Sequence, residues 1–99
     1  MKKEAVKRRV SAHPGVLLNE LFLKDLHISQ SVFARALGVS FKSINELVNA
    51  KRNVSITMAL RLAKALNTSA EFWLNAQNAY DLARADSSQL KNVQVLVSE

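Results

Sequence analysis

The sequence predicts an all-α domain, and three observations lead to that fold class. Only two glycines, one proline and six aromatic residues occur among 99 residues of which 48% are hydrophobic, and this composition disfavours a turn-rich β-fold. Apolar residues recur at three- and four-residue spacing in successive segments, as they do in amphipathic helices. Ala34 precedes Gly38 by four positions, and Ile44 follows it by six, a spacing typical of two short helices joined by a tight turn. The length suits one domain with one hydrophobic core.

The first helix is predicted to begin at His13-Pro14, because proline is tolerated in the first turn. It should end between Lys24 and Leu26, and His27 then occupies a turn that requires a positive φ. Its broad apolar face consists of Val16, Leu17, Leu18, Leu21 and Phe22.

The next two helices form the predicted helix-turn-helix. Ser29 and Ser40 are placed to cap them, and Gly38 can end the first of them at positive φ. The inward residues of the pair are Val32, Phe33, Ala34, Ala36, Leu37, Ile44, Leu47 and Val48. The outward residues of the second helix are Phe41, Lys42, Ser43, Asn45, Glu46 and Asn49. A DNA major groove admits such a helix, although an ordinary αα-hairpin with a solvated outer face has the same spacing.

A polar loop, residues 49–53, follows this pair, and its Lys51 and Arg52 could contact phosphates or simply form a solvated turn. Ser55 or Thr57 then begins a fourth helix that ends at Asn67. Thr68 and Glu71 have the spacing of a capping box before a fifth helix over residues 70–84. Its apolar residues are numerous enough to pack partly on the core and partly on a second copy, the alternative being that all of them are monomer core. The residues predicted for dimerisation are Phe72, Trp73, Ala76 and Tyr80.

Positive charge is concentrated in two regions of a chain whose formal net charge is +6. Residues 1–13 carry five basic residues against Glu4, and residues 29–53 carry four basic residues against Glu46. Attraction to phosphate is the predicted use, whereas for the basic arm a solubilising tail is equally plausible.

The division of the chain follows from these patterns. Residues 1–12 are predicted to be a mobile basic arm, residues 13–85 the helical domain, and residues 86–99 a C-terminal tail. The segment Leu90 to Val97 suits an edge strand, a strap on a partner or a frayed tail, and the sequence leaves these open.

Several function classes are disfavoured. The chain has no cysteine, no Gly-rich phosphate loop, no paired carboxylates on one predicted face, and two histidines that lack ligand partners. We therefore predict no enzymatic activity, no catalytic residues, no metal site and no cofactor. The absence of cysteine fits the cytoplasm, and no apolar stretch has the length of a membrane span.

Four motifs, HPGVLLNELFL, LGVSFKSINELVNAKR, MALRLAKALNTSAEFWLNAQ and YDL, resemble the HigA/VapI-type antitoxins of the Xre (lambda-repressor-like) helix-turn-helix family. The resemblance extends from His13 to about Leu82. It implies a five-helix fold, a homodimer on a palindromic operator, repression of the protein's own operon, and neutralisation of a HigB-like mRNA interferase.

The resemblance also implies roles for individual residues. Gln30 matches a residue that holds a phosphate and braces the second helix of the motif. Phe41, Lys42 and Glu46 match base-contacting positions, and Lys51 and Arg52 match a basic loop. With Ser40, Ser43 and Asn45, these are the predicted DNA-binding residues.

The sequence departs from the family's pattern at three positions. Phe41 stands where a small residue or proline is frequent, Ser43 where a basic residue is frequent, and Ala50 where glycine is frequent. We therefore expect Asn49 to take the left-handed conformation in place of Ala50.

Two other functions remain open from the sequence. One is a phage-type repressor without a toxin partner. The other is a protein-binding inhibitor in which the basic arm and first helix cover a toxin, with incidental DNA contact.

Overall fold

A computed structural model describes residues 12–98 of the chain, and within them the fold is all-helical. Helix α1 runs from Pro14 to Leu26 and contains a π-helical turn at Asn19–Leu23. The other helices are α2 (Gln30–Leu37), α3 (Phe41–Val48), α4 (Ile56–Leu66) and α5 (Ala70–Arg84), followed by a 3-10 turn at Ser88–Asn92. The predicted five-helix fold is confirmed for this part of the chain. The predicted mobile arm lies almost wholly outside it.

The π-helical turn in α1 was not predicted and changes which residues face inward. The Lys24 N–H donates to the Asn19 carbonyl five residues earlier, instead of four as in an α-helix. Leu18 and Leu23 are consequently both buried, whereas Leu21, expected in the core, is 54% exposed.

Helices α1 to α5 enclose one hydrophobic core around the Trp73 side chain. Trp73, Leu18, Ile44, Leu47 and Leu62 are fully buried, and they come from α5, α1, α3 and α4. Val32 and Ala36, both predicted to be inward, are exposed. Among residues 12–98, none of the helices combines the length and hydrophobicity that a membrane crossing requires.

Four successive helices end in a left-handed residue. His27, Gly38 and Asn67 have φ values of 55°, 74° and 55°, as expected from their residue types. After α3, however, Ala50 takes φ 59° while Asn49 remains at φ −94°, so the expectation for Asn49 was wrong. The N–H groups of Ala50 and Lys51 donate to the carbonyls of Leu47 and Glu46, a Schellman ending that requires the left-handed residue to be Ala50.

Replacing Ala50 with glycine is therefore expected to stabilise the domain. The Cβ of an L-residue makes the left-handed conformation unfavourable by about 1 kcal/mol or slightly more, and glycine lacks that cost. The melting temperature of Ala50→Gly should rise by roughly 4–8 °C, measured by circular dichroism. Ala36→Gly, the same change inside α2, is the matched control and should lower it. A melting temperature for Ala50→Gly at or below that of the wild type would contradict this account.

The start of α5 differs from the predicted capping box. Ser69 is the N-cap, and its hydroxyl accepts from the Phe72 N–H at 3.0 Å. The Thr68 hydroxyl instead accepts from the indole N–H of Trp73 at 2.8 Å. The cap thus shifts by one residue because Thr68 is needed as the partner of the buried indole, whose N–H would otherwise lose its hydrogen bond.

The C-terminal tail forms no strand within residues 86–98. It turns once at Ser88–Asn92, and its apolar side chains are exposed, from 63% at Leu90 to 90% at Leu96. The edge-strand alternative is therefore not adopted by this single chain.

Candidate nucleic-acid interface

Helix α3 is held by the domain along its whole inner face. The Ser40 hydroxyl caps it by accepting from the Ser43 N–H at 3.0 Å, as predicted. Ile44 and Leu47 are fully buried. At the C-terminal end of α3, Gly15 of α1 approaches so closely that a Cβ at this position would overlap the Leu47 carbonyl oxygen. Glycine at position 15 thereby sets the distance between α1 and α3.

The first turn of α3 presents two long side chains to solvent. Phe41 is 52% exposed, and the Lys42 side chain is 78% exposed. Ser40 and Ser43, also predicted to contact DNA, lie 2.8 Å apart at their hydroxyl oxygens and form one hydrogen bond with each other. Phe41 and Lys42 are therefore the side chains of this turn best placed to reach a base edge.

Gln30 and Asn45 connect the two helices of the motif. The Asn45 side-chain Nδ2 donates to Gln30 Oε1 at 3.1 Å, and the backbone carbonyl of Asn45 accepts from Asn49 Nδ2 at 2.8 Å. The Asn45 side chain is therefore half-buried and already hydrogen-bonded within the chain. This geometry supports a bracing role for Gln30. The hydrogen bond to Asn45 uses only Oε1 of Gln30, so its Nε2 can donate to another group.

Glu46 pairs chiefly with Arg52 and only weakly with Lys42. Both Nε and Nη2 of Arg52 donate to Glu46 Oε1, at 3.1 and 2.7 Å, whereas Lys42 Nζ lies 3.9 Å from Oε2. The Lys42–Glu46 pair, which spans one helical turn, is the longer of the two. Because these groups are substantially exposed, each pair contributes little to stability. The main effect of the Glu46–Arg52 pair is to orient Arg52 beside α3.

Two further residues hold the motif in place: Arg61, which sequence reasoning overlooked, and Gln77. Arg61 of α4 donates from Nη1 to the Leu37 carbonyl at 2.6 Å, so that it caps the C-terminal end of α2. Gln77 of α5, only 5% exposed, accepts from the Val54 N–H at 2.8 Å and fixes the loop after α3. Gln77 belongs to a motif that carries the family resemblance, and the resemblance implied a structural and dimer-forming role for it, but its partners could not be named from the sequence.

His13 is structural, as predicted, and begins α1. Its imidazole Nδ1 accepts from the Gly15 N–H at 2.9 Å, and its ring meets the edge of the Tyr80 ring at a centroid distance of 4.9 Å. Burial lowers the pKa of His13 below its ordinary value of 6.5, and the opposing effect of the Asp81 carboxylate is smaller.

The domain is therefore expected to lose stability as the pH falls through and below about 6.5. The unfolded chain binds the His13 proton more readily than the folded one, so lowering the pH favours unfolding. Protonation of Nδ1 also removes the acceptor that caps α1. Thermal melts between pH 8 and 5 should show this decline, and His13→Asn, which caps without titrating, should flatten it. An unchanged slope in His13→Asn would contradict the assignment, and His27→Asn serves as the control that retains the decline.

The outer face of α5 requires one correction. Trp73, predicted to contribute to dimerisation, is fully buried within the single chain and contacts Phe22 and Phe72. It has no surface left for a second copy. Phe72 is 39% exposed, and Ala76 and Tyr80 are half-buried, so these three retain surface on α5. Arg84 stacks over the Tyr80 ring at 5.0 Å.

Comparisons with known proteins agree with this architecture. The helix-turn-helix family model HTH_3 matches residues 20–73. Virulence-associated protein I of Dichelobacter nodosus is 42% identical over 77 residues, which cover 78% of this chain and 71% of that protein.

Two solved structures of relatives contain DNA. The antitoxin HigA of Pseudomonas aeruginosa with the higBA promoter superposes with a TM-score of 0.77 at 39% identity, covering 89% of this chain and 96% of that one. The antitoxin GraA in complex with its operator gives a TM-score of 0.80 at 42% identity, covering 88% and 92%. With α2 and α3 arranged as a helix-turn-helix and these similarities extending over most of the chain, the protein belongs to the Xre-type helix-turn-helix family and to its HigA/VapI-type branch.

Proposed function

We propose that this protein is a dimeric, sequence-specific DNA-binding antitoxin that represses its own operon. The observation that carries the proposal is the first turn of α3, where Phe41 and Lys42 project from a helix held rigidly on its other side. Lysine can donate to guanine in the major groove, and an aromatic ring can contact a thymine methyl group. Relatives at about 40% identity have been solved with promoter or operator DNA.

The contacts to the DNA backbone are assigned to three further residues. Lys51 and Arg52 are exposed on the loop that follows α3, and Gln30 lies at the start of α2. Basic side chains and helix N-termini are the groups that proteins use most often to hold phosphates. Ser40, Ser43 and Asn45 lie beside them, and their hydrogen bonds within the chain favour a supporting role.

Operator binding is tested by footprinting the DNA immediately upstream of the gene with purified full-length protein. The expected result is protection of two symmetric half-sites whose centres lie about one helical turn, 34–36 Å, apart. Protection of unrelated DNA to the same extent, or of none, would refute sequence-specific repression.

The homodimer is assigned to the surface of α5 that includes Phe72, Ala76 and Tyr80. Two-fold dimers match the symmetry of palindromic sites, and Phe72 is the largest exposed apolar side chain at the start of this helix. Sedimentation should show Phe72→Lys shifted towards monomer, while Leu60→Lys on α4 should sediment as the wild type does. Identical sedimentation of Phe72→Lys and wild type would exclude this surface.

Neutralisation of a HigB-like toxin is the remaining part of the proposal, and the similarity to the antitoxins HigA and GraA supports it. If a short basic reading frame lies next to this gene, its expression should arrest growth and coexpression of this protein should relieve the arrest. An isolated gene, or a neighbour without effect on growth, would leave a phage-type repressor as the function. Deleting residues 1–12 then tells whether the arm serves the toxin or the DNA.

A further inference from the structure

The loop between α3 and α4 is held at both of its ends by buried or charged side chains. At its start, Glu46 accepts from Arg52 through its carboxylate and from the Lys51 N–H through its carbonyl. At its end, Gln77 reaches across from α5. Lys51, Arg52 and Asn53 between these anchors are exposed.

Gln77 uses both ends of its amide for this contact. Its Oε1 accepts from the Val54 N–H at 2.8 Å, and its Nε2 donates to Asn53 Oδ1 at 3.2 Å and to Asp81 Oδ1 at 3.0 Å. The side chain is 5% exposed, so each lost bond would leave a buried polar group without a partner. Asp81 in turn fixes which end of the amide is the donor, because a carboxylate only accepts.

Asn53 and Val54 directly follow Arg52, so the position of Gln77 sets where the backbone of Arg52 lies. The guanidinium is oriented from the other side by Glu46. A phosphate contact by Arg52 depends on both the position of its backbone and the orientation of its guanidinium. If the backbone were loosely placed, binding would cost the conformational entropy of ordering it. We infer that Gln77 is a positioning residue for the phosphate-binding loop, through which α5 holds Arg52 in register with α3. This inference rests on the proposed DNA-binding function.

The consequence is a link between the two surfaces assigned above. The helix that carries Phe72 and Tyr80 also carries Gln77, so the helix proposed to bring two copies together determines where each copy meets the DNA backbone. A variant of Gln77 should therefore weaken binding to every sequence alike, whereas its base preference should persist.

The test measures affinity for the operator and for a mutated operator over a range of salt concentrations. The variants are Gln77→Met, which removes all three hydrogen bonds, and Asn75→Ala, an exposed control on the same helix. If each of the two subunits loses one phosphate contact, Gln77→Met should bind roughly 50-fold more weakly at 0.1 M salt, with a salt slope shallower by about two. The ratio of the affinity for the operator to the affinity for the mutated operator should equal that of the wild type. Measurements are made at pH 8 and well below the melting temperature of each variant.

A polarity swap separates positioning from general stability. Gln77→Glu keeps the acceptor for Val54 but faces the Asp81 carboxylate with a second one, so its binding should weaken. Combining it with Asp81→Asn supplies an amide donor at position 81 and should restore affinity and salt slope to within about twofold. Asp81→Asn alone should bind almost as the wild type does, because an amide oxygen also accepts from Gln77.

The outcomes distinguish this inference from the proposed function. If the wild type shows no salt-dependent preference for its upstream DNA, the proposed function fails. If the wild type binds and Gln77→Met has the same affinity and salt slope, the positioning role is refuted. The positioning role is also refuted if the double variant binds as weakly as Gln77→Glu. A role limited to stability would change the melting temperatures of the variants and leave their salt slopes unchanged.

Discussion

Gly15→Ala is expected to be among the most destabilising single substitutions in this domain. A Cβ at position 15 would overlap the Leu47 carbonyl oxygen, which belongs to the backbone of α3 and cannot rotate away. Relief requires α1 and α3 to separate, and overpacking of this kind costs about 3 kcal/mol or more. The melting temperature should fall by roughly 12 °C or more, as measured by circular dichroism.

Gly38→Ala provides the matched control for this prediction. Gly38 has φ 74°, and a Cβ there would meet only the end of the Arg61 side chain at 3.3 Å. Its cost should be limited to the left-handed conformation, about 1–2 kcal/mol. A smaller loss for Gly15→Ala than for Gly38→Ala would show that the approach of α1 to α3 is not as close as described.

Lys42→Ala is expected to have the largest effect on sequence discrimination. The Lys42 ammonium is held only loosely, 3.9 Å from Glu46, and its side chain is free to reach a base edge. Its removal should cost about 1–3 kcal/mol in each half-site of the preferred operator and much less on an operator mutated at the contacted base pairs. Fluorescence anisotropy with both duplexes measures the difference.

Arg52→Ala is the informative comparison for Lys42→Ala. Replacing Arg52 should weaken binding to both duplexes by the same factor and make the salt slope shallower by about two, one for each subunit of the dimer. Equal affinity of Lys42→Ala and wild type for the preferred operator would remove Lys42 from base recognition. An unaltered salt slope in Arg52→Ala would remove Arg52 from the phosphate contacts.

Local chemistry explains which parts of the fold were predictable. Ser29 and Ser40 cap their helices, and Gly38 ends α2 at positive φ, because these effects depend on one residue and its near neighbours. The π-helical turn in α1 was missed, since it arises where Leu18 and Leu23 must both enter the core. Periodicity alone assumes a regular helix and therefore placed Leu21 inward.

The same distinction holds for the candidate interface. The helix-turn-helix and its outward residues could be predicted from residue spacing, and the structure places Phe41 and Lys42 on the exposed side as predicted. The Arg52 partner of Glu46 and the Val54 partner of Gln77 could not be predicted from spacing. Arg52 lies six residues from Glu46 and on another element, and Val54 lies 23 residues from Gln77.

The sequence by itself determined that this is a basic, all-helical protein with a helix-turn-helix, and its motifs identified the family. Helix periods, caps and charge runs are short-range properties, and a single chain displays them directly. Only the tertiary structure decided that Ala50 rather than Asn49 takes the left-handed turn, that Trp73 belongs wholly to the core, and that Gln77 holds the loop of Arg52. Those outcomes depend on which distant groups compete for the same space and the same hydrogen bonds once the helices have packed.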